Sequence, residues 1–303
     1  MTSHAETIEV KTLGARPVAE ASEADAATHV QAIFDSIAPS YDLLNHLLSM
    51  GLDRHWWNRA ARTFRGTVAH PNARILDICC GTGDMTAALH RLRPKSTPAS
   101  TCSFCRPTPN SAENTKSGAR PEPAEGPSHL EIGASTEPQA NTTEAHPITG
   151  LDFSPQMLHR AHQKYAHTNI QWVEGDAMHL PYPDNSFDLV TSAFGFRNLT
   201  NYAAGLREIH RVLRPNGQIG ILECNQPDGL SGTLYTLYFR HILPLIGGLI
   251  SGDRAAYRYL PASVARFPRP PQMLTLLTEA GFTQPAWDGY LLRAAGLYRA
   301  IKP

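Results

Sequence analysis

Apolar residues change their spacing several times along the chain, and each change marks an element. From His29 to Phe64 they recur at helical intervals. Ile33, Phe34 and Ile37 lead to Leu43, Leu44, Leu47 and Leu48, with Pro39 and Gly51 as breaks. That spacing predicts two or three short helices ahead of the main fold. Arg74 to Cys79 reads as a buried strand, Gly81-Thr82-Gly83 as a turn, and Asp84 as the cap of a helix reaching about Leu92. After residue 147 the alternation resumes, with strands at Ile148–Leu151, Ile170–Glu174, Phe187–Ser192 and Gln218–Glu223. Helices are expected at Ser154–Tyr165 and Tyr202–Leu213, and Pro215-Asn216-Gly217 reads as a turn. Residues 231–267 look helical. Pro271–Ala280 is a helix ended by Gly281, and two closing strands fall near Phe282–Trp287 and Leu291–Ile301. Strands alternating with helices predict an α/β fold, with a mostly parallel sheet covered by helices on both faces.

Two stretches fall outside this pattern. Residues 1–27 are polar and rich in Ala and Glu, and read as a disordered tail. Residues 94–147 hold nine prolines and only three large apolar side chains, Phe104, Leu130 and Ile132. Such a segment buries too little apolar surface to offset the entropy of ordering, so it reads as a disordered surface insertion. Its Cys102-x-x-Cys105 pair has no second pair at metal-ligand spacing, so no metal site is expected. Residues 28–303 outside the insertion are read as one domain.

Composition narrows the class. The chain has 303 residues, of which 42% are hydrophobic and 18% charged, enough for a substantial core. Lys plus Arg and Asp plus Glu both number 27, and this neutrality argues against a nucleic-acid binder held by phosphate contacts. Five cysteines, two of them adjacent at Cys79 and Cys80, suit a reducing cytoplasm rather than a disulfide framework. Neither a signal-peptide core nor an apolar run long enough to span a bilayer is present.

A glycine turn after a first strand fits both dinucleotide binders and methyltransferases. Here the acid Asp77 precedes the glycines, in D-x-x-x-G-x-G, and Thr86 stands where a dinucleotide fingerprint has its third glycine. Asp84 at the helix start would repel a pyrophosphate and suits a cationic cofactor. Asp152 stands 69 positions after Gly83, or 15 with the 54 residues of the insertion set aside. That is near the roughly 20-residue spacing to a ribose-binding acid. Asp176 follows the third strand, where it could meet an adenine amine, and Ala177 offers a backbone N–H to the ring.

These pieces together resemble the class I S-adenosylmethionine-dependent methyltransferases. VQAIFDSIAPSYDLLNHLLSMGLDRHWW upstream, and SAFGFRNL, HRVLRPNGQIGILE and YRYLPASVARFP downstream, resemble the ubiquinone/menaquinone biosynthesis C-methyltransferase family more narrowly. The resemblance covers roughly residues 29–93 and 148–303. It implies a Rossmann-like sheet of seven strands with an antiparallel final strand, an N-terminal helical segment and a helical lid. It also implies S-adenosylmethionine contacts at Thr82, Asp152, Asp176 and Ala177, beside the turn of Asp77, Gly81 and Gly83. Ala193 stands where the family often has a serine, so only a backbone or packing contact is expected there.

The implied acceptor is a prenylated quinol, foremost demethylmenaquinol methylated to menaquinol. The equivalent benzoquinol, or both rings, is the nearer alternative, and a non-catalytic scaffold that binds the cofactor is the distant one. A ring carbon becomes nucleophilic once a neighbouring hydroxyl is deprotonated, so the site needs a proton acceptor or a phenolate stabiliser. Arg197 is the first candidate stabiliser, because a guanidinium stays charged. Asn198 could orient the acceptor oxygen, Tyr41 and Asp42 could cover the cofactor or handle the proton, and Glu223 ends a strand at the ligand edge. His46 and Tyr257 are weaker proton-handling candidates. Residues 229–250 could line a channel for the lipid tail or rest on the membrane surface. A cytoplasmic enzyme, peripheral at the inner face of the membrane and open to oligomerisation, is the expected setting.

Overall fold

Two inner strands of the sheet, β1 (Ile75–Ile78) and β2 (Ile148–Asp152), are buried along their whole length, as expected where helices cover both faces. The computed structural model describes residues 13–15, 22–49, 51–94, 145–226 and 254–303. The chain divides into two units, residues 1–94 with 145–303, and residues 95–144. The second unit, with Cys102 and Cys105, lies outside the described residues, as does the 229–250 segment.

Among the described residues, four α-helices precede the sheet: α1 (Glu23–Ile37), α2 (Tyr41–Leu48), α3 (Asp53–Thr63) and α4 (Arg65–Val68). Next come β1, α5 (Asp84–His90), β2, α6 (Pro155–Lys164), β3 (Gln171–Glu174), β4 (Phe187–Ala193) and α7 (Tyr202–Val212). The described chain ends with β5 (Leu213–Cys224), α8 (Arg254–Arg266), α9 (Pro270–Glu279), β6 (Thr283–Tyr290) and β7 (Ala295–Ile301). Side-chain caps start three of the helices. Ser22, Ser154 and Asn201 accept from the N–H groups of Asp25, Met157 and Ala204.

The seven strands run in the order β3-β2-β1-β4-β5-β7-β6. β7 pairs antiparallel with both neighbours, and every other pairing is parallel. Strand periodicity sends alternate side chains into two cores. Leu76 and Ile78 of β1 meet Leu206 and Ile209 of α7 and Met273 and Leu277 of α9. Ile75 meets Trp57 and Phe64 of the N-terminal segment and Met85 and Leu89 of α5.

Five boundaries differ from the sequence reading. The expected tail is ordered in part: Ala15 is buried, its N–H donates to the Leu199 carbonyl, and the Tyr202 N–H donates to Leu13. α1 likewise starts at Glu23, ahead of residue 28. β5 begins at Leu213 and runs through the expected turn, because Asn216 and Gly217 exchange backbone hydrogen bonds with Lys302. The last strand starts at Ala295, since Leu291, Leu292 and Arg293 take positive φ angles of 38°, 51° and 70° and form the hairpin turn. Asp84 is the first residue of α5 rather than its cap, which is Gly83.

Candidate active site

The parallel strands all point their C-terminal ends at one edge, where an open α/β sheet builds its ligand crevice. Two residues there carry a left-handed backbone without being glycine: Cys79 after β1, with φ of 51°, and Phe194 after β4, with φ of 58°. Such conformations are costly and persist where the surroundings enforce them. Both residues line a cleft of about 650 Å³, together with Tyr41, Gly81, Asp152, Ala177 and Asn198. A second cavity of about 360 Å³ is lined by Asn45, Trp57, Asp77, Thr82 and Ala193. Tyr41, Cys79, Gly81 and Phe194 border both.

The glycine turn needs its glycines. Gly83 has φ of +86°, and a Cβ there would stand 2.4 Å from the Trp172 ring. Gly81 has φ of +55° and faces Tyr41, whose Cε1 would lie 3.7 Å from an added Cβ. A Gly83→Ala chain is expected to lose about 1–3 kcal/mol of stability from the backbone strain and the forced shift of Trp172. Thermal unfolding measures this, and an unchanged midpoint would contradict it.

The acids of the sequence reading fare differently. Asp152 ends β2 and is 5% exposed; Gly81 N–H donates to Oδ2 at 2.8 Å and Ser154 N–H to Oδ1 at 3.0 Å. Burial pushes its carboxyl up to about 6 against these hydrogen bonds. Asp77 is fully buried beneath the turn, receives the Thr86 and Thr191 hydroxyls at 2.6 and 2.7 Å, and is also pushed up to about 6, mainly by burial. Asp176 lines the cleft, but its carboxylate accepts from Met178 N–H and pairs with the exposed His179. Those two partners leave the carboxylate further acceptor capacity at the cleft. Asp84 is also not free to meet a cationic ligand, since Lys164 Nζ lies 2.8 Å away and the Tyr165 hydroxyl donates at 2.6 Å.

Asp42 sits on α2 and accepts the Thr82 hydroxyl at 2.5 Å, with Lys164 at 2.7 Å. It ties α2 to the glycine turn and is not placed as a free proton acceptor. Tyr41, next to it, packs edge-on against Phe34, and burial raises its phenol above the ordinary value. His46 pairs with the buried Asp53, away from both cavities. The Tyr257 side chain lies outside the described residues.

Arg197 and Glu223 differ most from the expectation. Arg197 is 5% exposed and Glu223 0%. Arg197 Nη1 meets Glu223 Oε1 and Oε2 at 3.3 and 3.1 Å and also donates to the Phe194 carbonyl, while Nε donates to Ser263 Oγ at 3.3 Å. Glu223 also accepts from the backbone N–H of Arg197 and of Cys224. Neither residue is among those that line these two cavities. Burial alone would weaken the Arg197 charge; Glu223 beside it more than restores it, and the guanidinium titrates above its ordinary value. The pair pins the 194–198 segment, and the guanidinium interacts electrostatically with Tyr41 at the cleft. Asn198 does line the cleft, and its Oδ1 accepts from the Tyr259 hydroxyl at 3.0 Å. Sequence reasoning missed Tyr259, and the Y-R-Y-L segment that carries it was the available signal.

Among the described residues, no group of three His, Cys, Asp or Glu is arranged to hold a metal ion, and no helix is long and apolar enough to cross a membrane. A solved S-adenosylmethionine-dependent methyltransferase from Thermotoga maritima superposes with a TM-score of 0.54 over 91% of this chain and all of that one. At 16% identity, that likeness speaks for the fold. Demethylmenaquinone methyltransferase of Deinococcus radiodurans is 40% identical over 256 residues, 84% of each chain. The Thermus thermophilus protein of the same name is 36% identical over 83% of this chain and 91% of its own. The sequence profile described as the ubiE/COQ5 methyltransferase family matches residues 21–302. With the seven-stranded sheet and the cleft at its edge, these matches place the chain in the ubiE/COQ5 family of S-adenosylmethionine-dependent methyltransferases.

Proposed function

We propose that the chain methylates a ring carbon of demethylmenaquinol, giving menaquinol. The observation that carries this reading is the match, over more than four-fifths of the chain, to relatives named for that reaction. When bound, S-adenosylmethionine supplies a methyl group on a positively charged sulfur. Two features favour its fit here. Gly81 leaves open the space beneath Tyr41 that a Cβ would fill, and Asp152 keeps acceptor capacity beyond its two backbone donors. Asp152 holds the ribose hydroxyls, while Ala177 and Met178 flank the adenine in the larger cavity. Asp77, Thr82 and Ala193 border the smaller cavity, which takes the amino-acid end.

The acceptor side rests on Tyr41 and Asn198. Tyr41 borders both cavities, so it closes over the junction where donor and acceptor meet, and helps keep that junction dry. Asn198 meets the acceptor oxygen. The apolar walls of the larger cavity, Val30, Phe34, Leu151, Met157 and Leu199, suit the adenine, and the acceptor ring enters on the side of Asn198. A substrate of this kind brings the enzyme to the membrane surface, from the cytoplasmic side.

A mass-resolved assay of the purified protein tests the reading. Chemically reduced demethylmenaquinone is expected to gain one methyl group from S-adenosylmethionine. Methylation of a reduced methoxy-benzoquinone alone would move the enzyme to the ubiquinone branch, and methylation of neither would refute the acceptor assignment.

A further inference from the structure

Helix α8 grips the catalytic-edge segment with two successive turns. Ser263 receives Arg197 Nε, and four residues earlier the Tyr259 hydroxyl donates to Asn198 Oδ1 at 3.0 Å. The Asn198 backbone is already fixed, because its N–H donates to the Gly195 carbonyl at 2.9 Å in the short helical turn Phe196–Asn198. What Tyr259 adds is the orientation of the amide. An Asn side chain has one acceptor end and one donor end, and a partner on one end decides which way the other faces.

Tyr259 is well suited to hold that orientation. It is 8% exposed and packs among Ala15, Val30, Ile33, Phe34 and Phe153, so its ring cannot swing away cheaply. Burial first of all pushes its phenol up to about 12, so the hydroxyl keeps its proton and remains a donor at neutral pH. Among the described residues, Asn198 Nδ2 has no partner, and Asn198 lines the cleft.

We propose that Tyr259 is a positioning residue, which occupies the amide oxygen of Asn198 and thereby commits its N–H donors to the oxygen of the acceptor ring. An N–H donor there stabilises the phenolate that makes the neighbouring ring carbon nucleophilic; the amide oxygen turned the same way would oppose it. This assignment rests on the quinol reading above. It also gives α1 and the ordered 13–15 segment a share in the chemistry, because both pack around Tyr259.

The test uses the full-length protein in four further forms: Y259F, N198A, N198D and the Y259F/N198A double. Each is assayed on reduced demethylmenaquinone, with thermal unfolding and S-adenosylmethionine binding measured alongside. Y259F is expected to lower kcat about tenfold or more, with the unfolding midpoint and cofactor Kd at wild-type values. N198A is expected to lose roughly 100-fold in kcat. The double is expected to match N198A alone, because Tyr259 acts only through Asn198. N198D retains an acceptor for Tyr259 but has no N–H to offer, so it is expected to lose turnover like N198A. Wild-type kcat in Y259F, multiplied losses in the double, or retained turnover in N198D would each overturn the proposal. If Y259F fails to fold, N198D still decides the donor assignment. A wild-type protein inactive on the quinol would overturn the functional reading and this inference with it, whereas an active wild type with an unaffected Y259F overturns the inference alone.

Discussion

An Asp152→Ala chain is expected to bind S-adenosylmethionine about 100-fold more weakly than the wild type, a loss of about 2.7 kcal/mol. The carboxylate is almost fully buried and held in place by Gly81 and Ser154. Hydrogen bonds to a charged acceptor contribute about 1.5–3 kcal/mol each. Alanine removes the acceptor proposed for the ribose and also frees the Gly81 N–H, so the turn loosens. Asp152→Asn keeps part of the geometry and is expected to fall between the two. pH offers a second readout. Asp152 and Asp77 both stand near 6 in the folded chain, against 3.8 as the ordinary value. As pH rises from about 4 to about 6, the unfolded chain loses these protons first, so the ligand-free fold loses stability across that window. Ligand affinity moves the opposite way. Ionised carboxylates accept more strongly and attract the cationic donor, so affinity rises through pH 6. Asn at position 152 removes its share of that rise and leaves the share of Asp77. Calorimetric titration on either side of pH 6 measures the affinity, and thermal unfolding of the ligand-free chain measures the stability. An Asp152→Ala chain with wild-type affinity would remove the residue from the cofactor site.

The sequence made the frame legible because buried parallel strands and glycine turns are local signals. The strand around Asp77, the turn at Gly81 to Gly83 and the acid ending β2 all stand where their spacing puts them. The antiparallel last strand came with the family resemblance, and its register was found only in the structure. Pairings between distant residues left no local trace. Asp84, which lines the smaller cavity, finds Lys164 and Tyr165 some 80 positions away, and no local signal in the sequence shows that a cation already stands beside it. The hairpin at Leu291 to Arg293 lacks the Gly or Asn that marks a positive-φ turn, so the run reads as strand. Leu13 to Ala15 is too short to show a period, yet its backbone pairs with Leu199 and Tyr202. Arg197 has a partner that its motif does not show. A guanidinium beside F-G and N reads as a ligand contact, and Glu223, 26 residues on, is folded against it.

That pairing changes what Arg197→Ala is expected to do. The sequence reading places the loss in turnover. The structure places it first in stability, because the substitution strands Glu223, fully buried, with two backbone donors and no cation. Breaking one side of a buried ion pair costs about 3–5 kcal/mol. For a domain of this size, that corresponds to an unfolding midpoint lower by about 10 °C. Glu223→Ala is expected to do the same from the other side, leaving the guanidinium with the Phe194 carbonyl and Ser263. Replacing both residues by methionine removes both buried charges and is expected to recover most of the stability. Turnover is not expected to return with it. The Nη1 bond to Phe194 and the backbone anchor from Glu223 to Arg197 are both gone, so the left-handed turn at Phe194 and the amide of Asn198 lose their fixed places at the cleft. Thermal unfolding and kcat measured on the three variants separate the two contributions. An Arg197→Ala chain with a wild-type midpoint and greatly reduced kcat would show instead that the guanidinium acts directly on the acceptor.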